Sequence, residues 1–150
     1  MNSRMKDVFG LLARLAVGGV FIYAGVTKAL APAEEFAYAI ESYQVLSSKL
    51  SLLAAYAVPW IELYAGLLLA AGVFTRWSAL FTGAMLVFFE LLLGQAWLRK
   101  LPITSCGCFG TSGSNSIGGE FLQNLLFLAL AIAAFKFGRA WYADRFAEKP

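Results

Sequence analysis

The sequence contains no histidine, and only two of its 150 residues are cysteines. The absence of histidine removes the most common general base, metal ligand and pH-sensitive side chain from any site in the chain. Charge is also scarce, at 14% of residues, where a soluble domain carries about 25%. Hydrophobic residues make up 60% of the chain. So short a chain cannot hide that much apolar surface from water, which excludes an ordinary soluble enzyme, a disordered tail and a nucleic-acid-binding protein.

Four long apolar segments account for most of the chain, and they run over residues 8–30, 50–74, 77–98 and 120–138. A helix that crosses the hydrocarbon core needs about 20 residues. The sequence therefore predicts an all-α bundle of four transmembrane helices that forms one integral membrane domain over residues 1–150. No inverted repeat is visible, which disfavours a transporter.

The linker between the first two spans has a pattern of its own. Pro32 suits the first position of a helix, and Glu34 and Glu35 suit its first turn. Phe36 and Ile40 follow at helical spacing. We predict a short amphipathic helix at the membrane surface, with a plain loop as the alternative.

The distribution of Lys and Arg predicts the orientation of the chain, because these residues are enriched in cytoplasmic segments. If both termini are cytoplasmic, seven basic residues lie inside: Arg4, Lys6, Arg76, Lys136, Arg139, Arg145 and Lys149. Four then lie on or near the outside: Lys28, Lys49, Arg99 and Lys100. We therefore predict cytoplasmic termini, with the 31–49 linker and the 99–119 loop outside.

Charged residues inside the spans are candidates for function, because an isolated charge costs about 2.5–3.5 kcal/mol at the bilayer centre. Counting residues from the helix ends predicts that Glu62 approaches Arg14 and that Glu90 approaches Lys28. Two interpretations carry equal weight. These residues are either buried ion pairs that fix the helix register, or, together with Tyr23, a polar lining for a cofactor or a proton path.

Cys106 and Cys108 flank a single glycine in a loop rich in Gly, Ser and Thr. A structural disulfide here would close a very small ring and contribute only about 1.6 kcal/mol. Two thiolates can bind a soft ion such as Cu(I), but zinc needs four ligands. A strained, accessible pair is best suited to thiol–disulfide exchange. We predict a redox-active dithiol as the catalytic pair and no metal.

A protein with two cysteines has no second pair for an internal relay. The other redox party must either reach the same two thiols or be an electron carrier in the membrane. A lipid quinone held between the helices, near Glu90 and Tyr23, meets this requirement. The expected partners are the lipid bilayer and a thiol-containing protein on the outer side, with no nucleic acid; a homo-oligomer is compatible with the sequence.

Three parts of the sequence resemble known membrane proteins. The stretch from Arg14 to Lys28, which ends Ala-Gly-Val-Thr-Lys, is similar to the opening of DoxX-like proteins. The Pro59-Trp-Ile-Glu62 motif and the Cys106-Gly-Cys108-Phe-Gly motif resemble the MauE branch more specifically. The resemblance covers about residues 10 to 135. One departure is Gln123-Asn124, where the family tends to have Arg-Asn.

The resemblance implies a four-helix inner-membrane protein associated with redox maturation. MauE itself is tied to methylamine utilisation, where it is thought to help a thioredoxin-like partner to form disulfides. The wider group is similar in layout to small quinone-linked enzymes that handle disulfides. The alternative is a non-enzymatic membrane subunit or assembly factor, in which the cysteine pair docks a partner or binds a soft metal.

Overall fold

The computed structural model describes residues 3–103 and 117–138. These residues form five helices and no strand: α1 (Ser3–Leu30), α2 (Ala33–Ser42), α3 (Ser48–Ala71), α4 (Thr75–Leu98) and α5 (Ile117–Phe137). Four of them, α1, α3, α4 and α5, are long and apolar enough to cross a membrane. The predicted all-α bundle of four spanning helices is therefore confirmed.

The four long helices alternate in direction, so the bundle has two ends. One end holds α2 together with the end of α1 and the start of α3; we call it the α2 end. The opposite end, which holds the turn between α3 and α4, is called the turn end. Helix α1 packs closely against α3 and α5, and α4 packs against α5, whereas α3 and α4 contact each other much less.

Large apolar side chains cover the outer faces of the long helices. Leu12 is 60% exposed, Leu53 64%, Leu91 67% and Leu126 59%. Such a surface is unfavourable in water but is expected where lipid surrounds the bundle. The exposed Trp77 and Trp97 stand near opposite ends of α4, as tryptophans at the two interfaces of a membrane do.

Helix α2 confirms the short helix predicted between the first two spans. It starts after Pro32, and Glu34 and Glu35 lie in its first turn. Its buried face, formed by Phe36, Ala37 and Ala39, packs against Ala55 of α3. Helix α2 therefore covers the first turns of α3, and it is part of the packed structure.

Helix α3 ends at Ala71, three residues before the end of the predicted span 50–74, and it begins two residues earlier, at Ser48. Gly72 has a left-handed conformation with φ of 75°. The amide of Gly72 donates to the carbonyl of Leu69, and the amide of Val73 donates to that of Leu68. This pattern is a Schellman motif, which satisfies the last carbonyls of the helix and turns the chain into α4.

Glycines let α1 and α3 approach each other closely. A Cβ atom placed on Gly25 would lie 2.7 Å from the carbonyl oxygen of Pro59, and one on Gly66 would lie 2.7 Å from that of Gly18. Both contacts are with backbone, which cannot move aside as a flexible side chain can. The register of α1 against α3 is therefore fixed by positions that only glycine can occupy.

We predict that Gly25→Ala destabilises the protein, although alanine is the better helix former by about 1 kcal/mol. The reason is the backbone of Pro59 and Leu63 around the added methyl group. Gly83→Ala is the matched control, because nothing lies within 4 Å of its Cβ position. Thermal unfolding in detergent should show a lower Tm for the first variant and an equal or higher Tm for the control. Equal Tm values for both would contradict the close approach.

Candidate functional site

A buried ion pair joins α1 to α3 near the α2 end. The Lys28 ammonium donates to both carboxylate oxygens of Glu62, at 2.8 Å to Oε1 and 2.7 Å to Oε2. The two side chains are only 1% and 3% exposed. Each charge alone would be unfavourable in a membrane interior, and the two-pronged contact neutralises both.

Two aromatic rings enclose the ammonium of this pair. The ring centroid of Phe36 on α2 lies 5.1 Å from Lys28 Nζ, and that of Phe89 on α4 lies 5.8 Å away. Both distances are within the range of a cation–π interaction. Four helices therefore meet at one charged group: α1 and α3 supply the ion pair, and α2 and α4 supply the rings.

The predicted partner of Glu62 was wrong, since Glu62 binds Lys28 instead of Arg14. The register of the antiparallel helices explains the difference. Gly25 lies against Pro59 and Leu63. Lys28 is about one helical turn beyond Gly25 on α1, which brings it within reach of Glu62. Helix α3 extends past the end of α1 to support α2, and counting both helices from a shared end plane misplaced Glu62.

Glu90 also has a partner other than the predicted Lys28. Its Oε2 accepts a hydrogen bond of 2.6 Å from the amide of Asn124 on α5. The same amide nitrogen donates to the carbonyl of Leu86 at 3.0 Å. Glu90 Oε1 is shielded from solvent and has no hydrogen-bond partner among the described residues. Glu90 thus links α4 to α5.

Arg14 and Tyr23 lie apart from the ion pair. Arg14 is buried and donates to the carbonyl of Gly138, just past the end of α5, at 3.1 Å. A cation is favourable there, because the carbonyls at the end of a helix carry partial negative charge. Tyr23 is 60% exposed on the surface of α1. Of the five predicted cofactor-binding residues, the structure brings only Lys28 and Glu62 into contact.

An apolar cavity of about 230 Å³ lies between α2, α3 and α4. Phe36 and Phe89, which flank the ammonium of Lys28, also form part of its wall. The other lining residues are apolar or aromatic, and they come from the same three helices and the α2–α3 linker: Ile40, Tyr43, Val45, Leu46, Ala54, Val58, Phe88 and Leu92. Val45 and Phe88 are more than half exposed, so the cavity reaches the lipid-facing surface.

Cys106 and Cys108 lie outside the described residues. The described residues on both sides of them belong to one cluster at the α2 end. Tyr43, Leu93 and Ala96 are the buried members of this cluster, and Ile103 and Ile117 pack against them. Polar contacts support it, because Gln95 donates to the carbonyl of Tyr43 at 3.1 Å and Arg99 donates to Gln44 at 3.0 Å.

These features define the class of protein: an integral membrane protein with four spanning helices, a buried ion pair and an apolar cavity beside it. The family model described as methylamine utilisation protein MauE matches residues 6–137. The chain therefore belongs to the MauE family. Neither the curated proteins nor the solved structures include a match to this chain.

Phe89 and Asn124 contribute to these contacts although the sequence pattern did not predict a role for either. Asn124 carried a usable signal, since an amide in a spanning helix usually bonds to a neighbouring helix. Phe89 carried none, because it is one of many aromatic residues in an apolar span. Phe36 was identified only as part of the apolar face of α2.

We predict that breaking the ion pair is worse than removing it. Lys28→Met or Glu62→Leu alone leaves one buried charge without a partner, which costs about 3–5 kcal/mol in a protein interior. The double variant leaves no charge, so it should be more stable than either single variant. Thermal unfolding of all three in detergent tests this. A double variant that loses as much stability as the two single variants together would contradict the coupling.

Proposed function

We propose that this protein is a membrane-embedded thiol–disulfide oxidoreductase that passes electrons between a partner protein and a membrane quinone. Cys106 and Cys108 carry the exchange. The Cys106-Gly107-Cys108 motif is the observation that carries the proposal. Two cysteines separated by a single residue form a strained disulfide that is readily reduced. Membership of the MauE family supports it.

In the direction that oxidises the partner, one partner thiolate attacks the disulfide between Cys106 and Cys108. This breaks the internal disulfide and forms a mixed disulfide. The partner's second thiolate then attacks the mixed disulfide, so the partner leaves oxidised and this protein keeps two thiols. The pair returns to the disulfide when its two electrons and two protons convert a quinone to a hydroquinone. The opposite direction uses the same steps in reverse.

The described residues around the cysteine segment support this function. Ile103 precedes Cys106 by three residues, and Ile117 re-enters the bundle in the same cluster. Tyr43 belongs to that cluster and also lines the apolar cavity. The attachment points of the segment and the cavity are therefore neighbours. The bias of Lys and Arg favours the outer compartment for this end, with both termini in the cytoplasm, and disulfide chemistry operates in that compartment.

The expected partner is a thioredoxin-like or other thiol-containing protein of the outer compartment. We predict that the single substitutions Cys106→Ser and Cys108→Ser share one effect and differ in another. Both abolish turnover. The remaining thiol can form a mixed disulfide only by attacking the disulfide of an oxidised partner, which is the reverse direction of the exchange, and only the variant that keeps the attacking cysteine accumulates this species. Non-reducing electrophoresis of cells treated with acid to trap thiols shows that species and identifies the attacking residue.

Ser105→Ala is the matched control, because it changes the neighbouring small polar residue and leaves both thiols. It should keep full turnover. If Cys106→Ser with Cys108→Ser keeps full activity in cells, the redox function is wrong. A stable partner complex that survives the loss of both thiols would favour the assembly-factor alternative instead.

We predict that a membrane-impermeant maleimide labels the cysteines of intact cells only after reduction. This result is expected for an oxidised pair on the outer side. Labelling without reduction would indicate free outer thiols, as in a reductase or a soft-metal site. Labelling confined to permeabilised cells would show that the cysteines face the cytoplasm. It would contradict the predicted orientation, because disulfides are rare in that reducing compartment.

A further inference from the structure

We propose that the cavity between α2, α3 and α4 binds the ring of an isoprenoid quinone, with the tail leaving toward lipid beside Val45 and Phe88. This inference rests on the proposed function, which requires a two-electron acceptor, and it assigns that acceptor a place. The site differs from the one expected from the sequence near Glu90 and Tyr23, since neither residue lines this cavity.

The size of the cavity fits a substituted six-membered ring. Its volume is about 230 Å³, and an apolar protein cavity of about 150 Å³ already accepts benzene. A ring with several small substituents therefore fits, whereas its long tail does not. The exposed Val45 and Phe88 at the edge of the cavity give the tail a route into the bilayer.

The chemistry of the wall fits an aromatic-like ring better than an acyl chain. Phe36, Tyr43, Phe88 and Phe89 all line the cavity, and flat rings favour stacked or edge-to-face contacts with such side chains. A phospholipid chain would gain no comparable benefit from them. Ile40 and Val58 complete the apolar wall.

The ion pair gives the cavity a polar group directly behind its wall. Lys28 has three N–H donors, and two of them bind Glu62. Among the described residues, no acceptor is seen for the third, and the ammonium faces the rings of Phe36 and Phe89. The ammonium therefore holds in place two of the aromatic rings that form the cavity wall.

The test uses full-length protein in detergent and a photoreactive azido-quinone, with the labelled peptide identified by mass spectrometry. The expected labels fall on α2, on the linker after it, on the first half of α3 or on the second half of α4. Ala54→Phe fills the cavity and should lower the affinity for the probe at least tenfold. Ala84→Phe is the matched control, because Ala84 lines a different groove between α4 and α5, and it should leave the affinity unchanged.

Val58→Phe is a second cavity-filling variant, in case Ala54→Phe does not give a single symmetrical peak in gel filtration. Labelling of other helices, or an affinity unchanged in a folded cavity-filling variant, would overturn the proposal. Displacement of the probe by a saturated phospholipid as readily as by a short-chain quinone would also overturn it, in favour of an acyl-chain site.

The measurement is repeated in the Cys106→Ser, Cys108→Ser double variant, which cannot exchange disulfides. Equal binding in this variant separates the cavity from the thiol chemistry. If the double variant binds the probe and also keeps activity in cells, the proposed function fails while the cavity assignment stands. If the cysteines are essential and the probe does not bind in the cavity, only the cavity assignment fails.

Discussion

The ion pair between Lys28 and Glu62 is the interaction on which the α2 end of the bundle depends. Helices in lipid gain no hydrophobic stabilisation from contacting one another, so polar contacts and close packing must select their arrangement. A two-pronged ion pair is demanding in this respect, because a shift of either helix leaves a charge in a medium that cannot solvate it. The pair therefore favours one register of α1 against α3 over the registers displaced by a residue or more.

Close packing of small residues selects the same register. Gly25 against Pro59, and Gly18 against Gly66 and Ala70, bring the two backbones together at two levels of the interface. A slide of one residue would place side chains where only glycine fits and would separate Lys28 from Glu62 at the same time. Two independent constraints agree, and such agreement gives a sequence a single packed state.

The sequence was sufficient to predict the helices, because each depends on features of its own segment. Four apolar segments predicted four spanning helices, and Pro32 followed by two glutamates predicted α2. The pairing of charges was not local, because it depends on how far α3 extends beyond α1. That extension is set by the packing of α2 on Ala55, and no count along a single helix contains this information.

The cavity follows from the uneven packing of the bundle. Helix α1 lies between α3 and α5 and packs tightly on both, whereas α3 and α4 contact each other much less, although a short turn joins them. Helix α2 and the linker after it lie across the gap that remains at the other end, and aromatic side chains fill it only in part. The close-packed side of the molecule thus holds the ion pair rigid, and the loosely packed side leaves space next to it. A ligand that partitions into lipid can reach that space from the side, without crossing the charged groups that hold the bundle together.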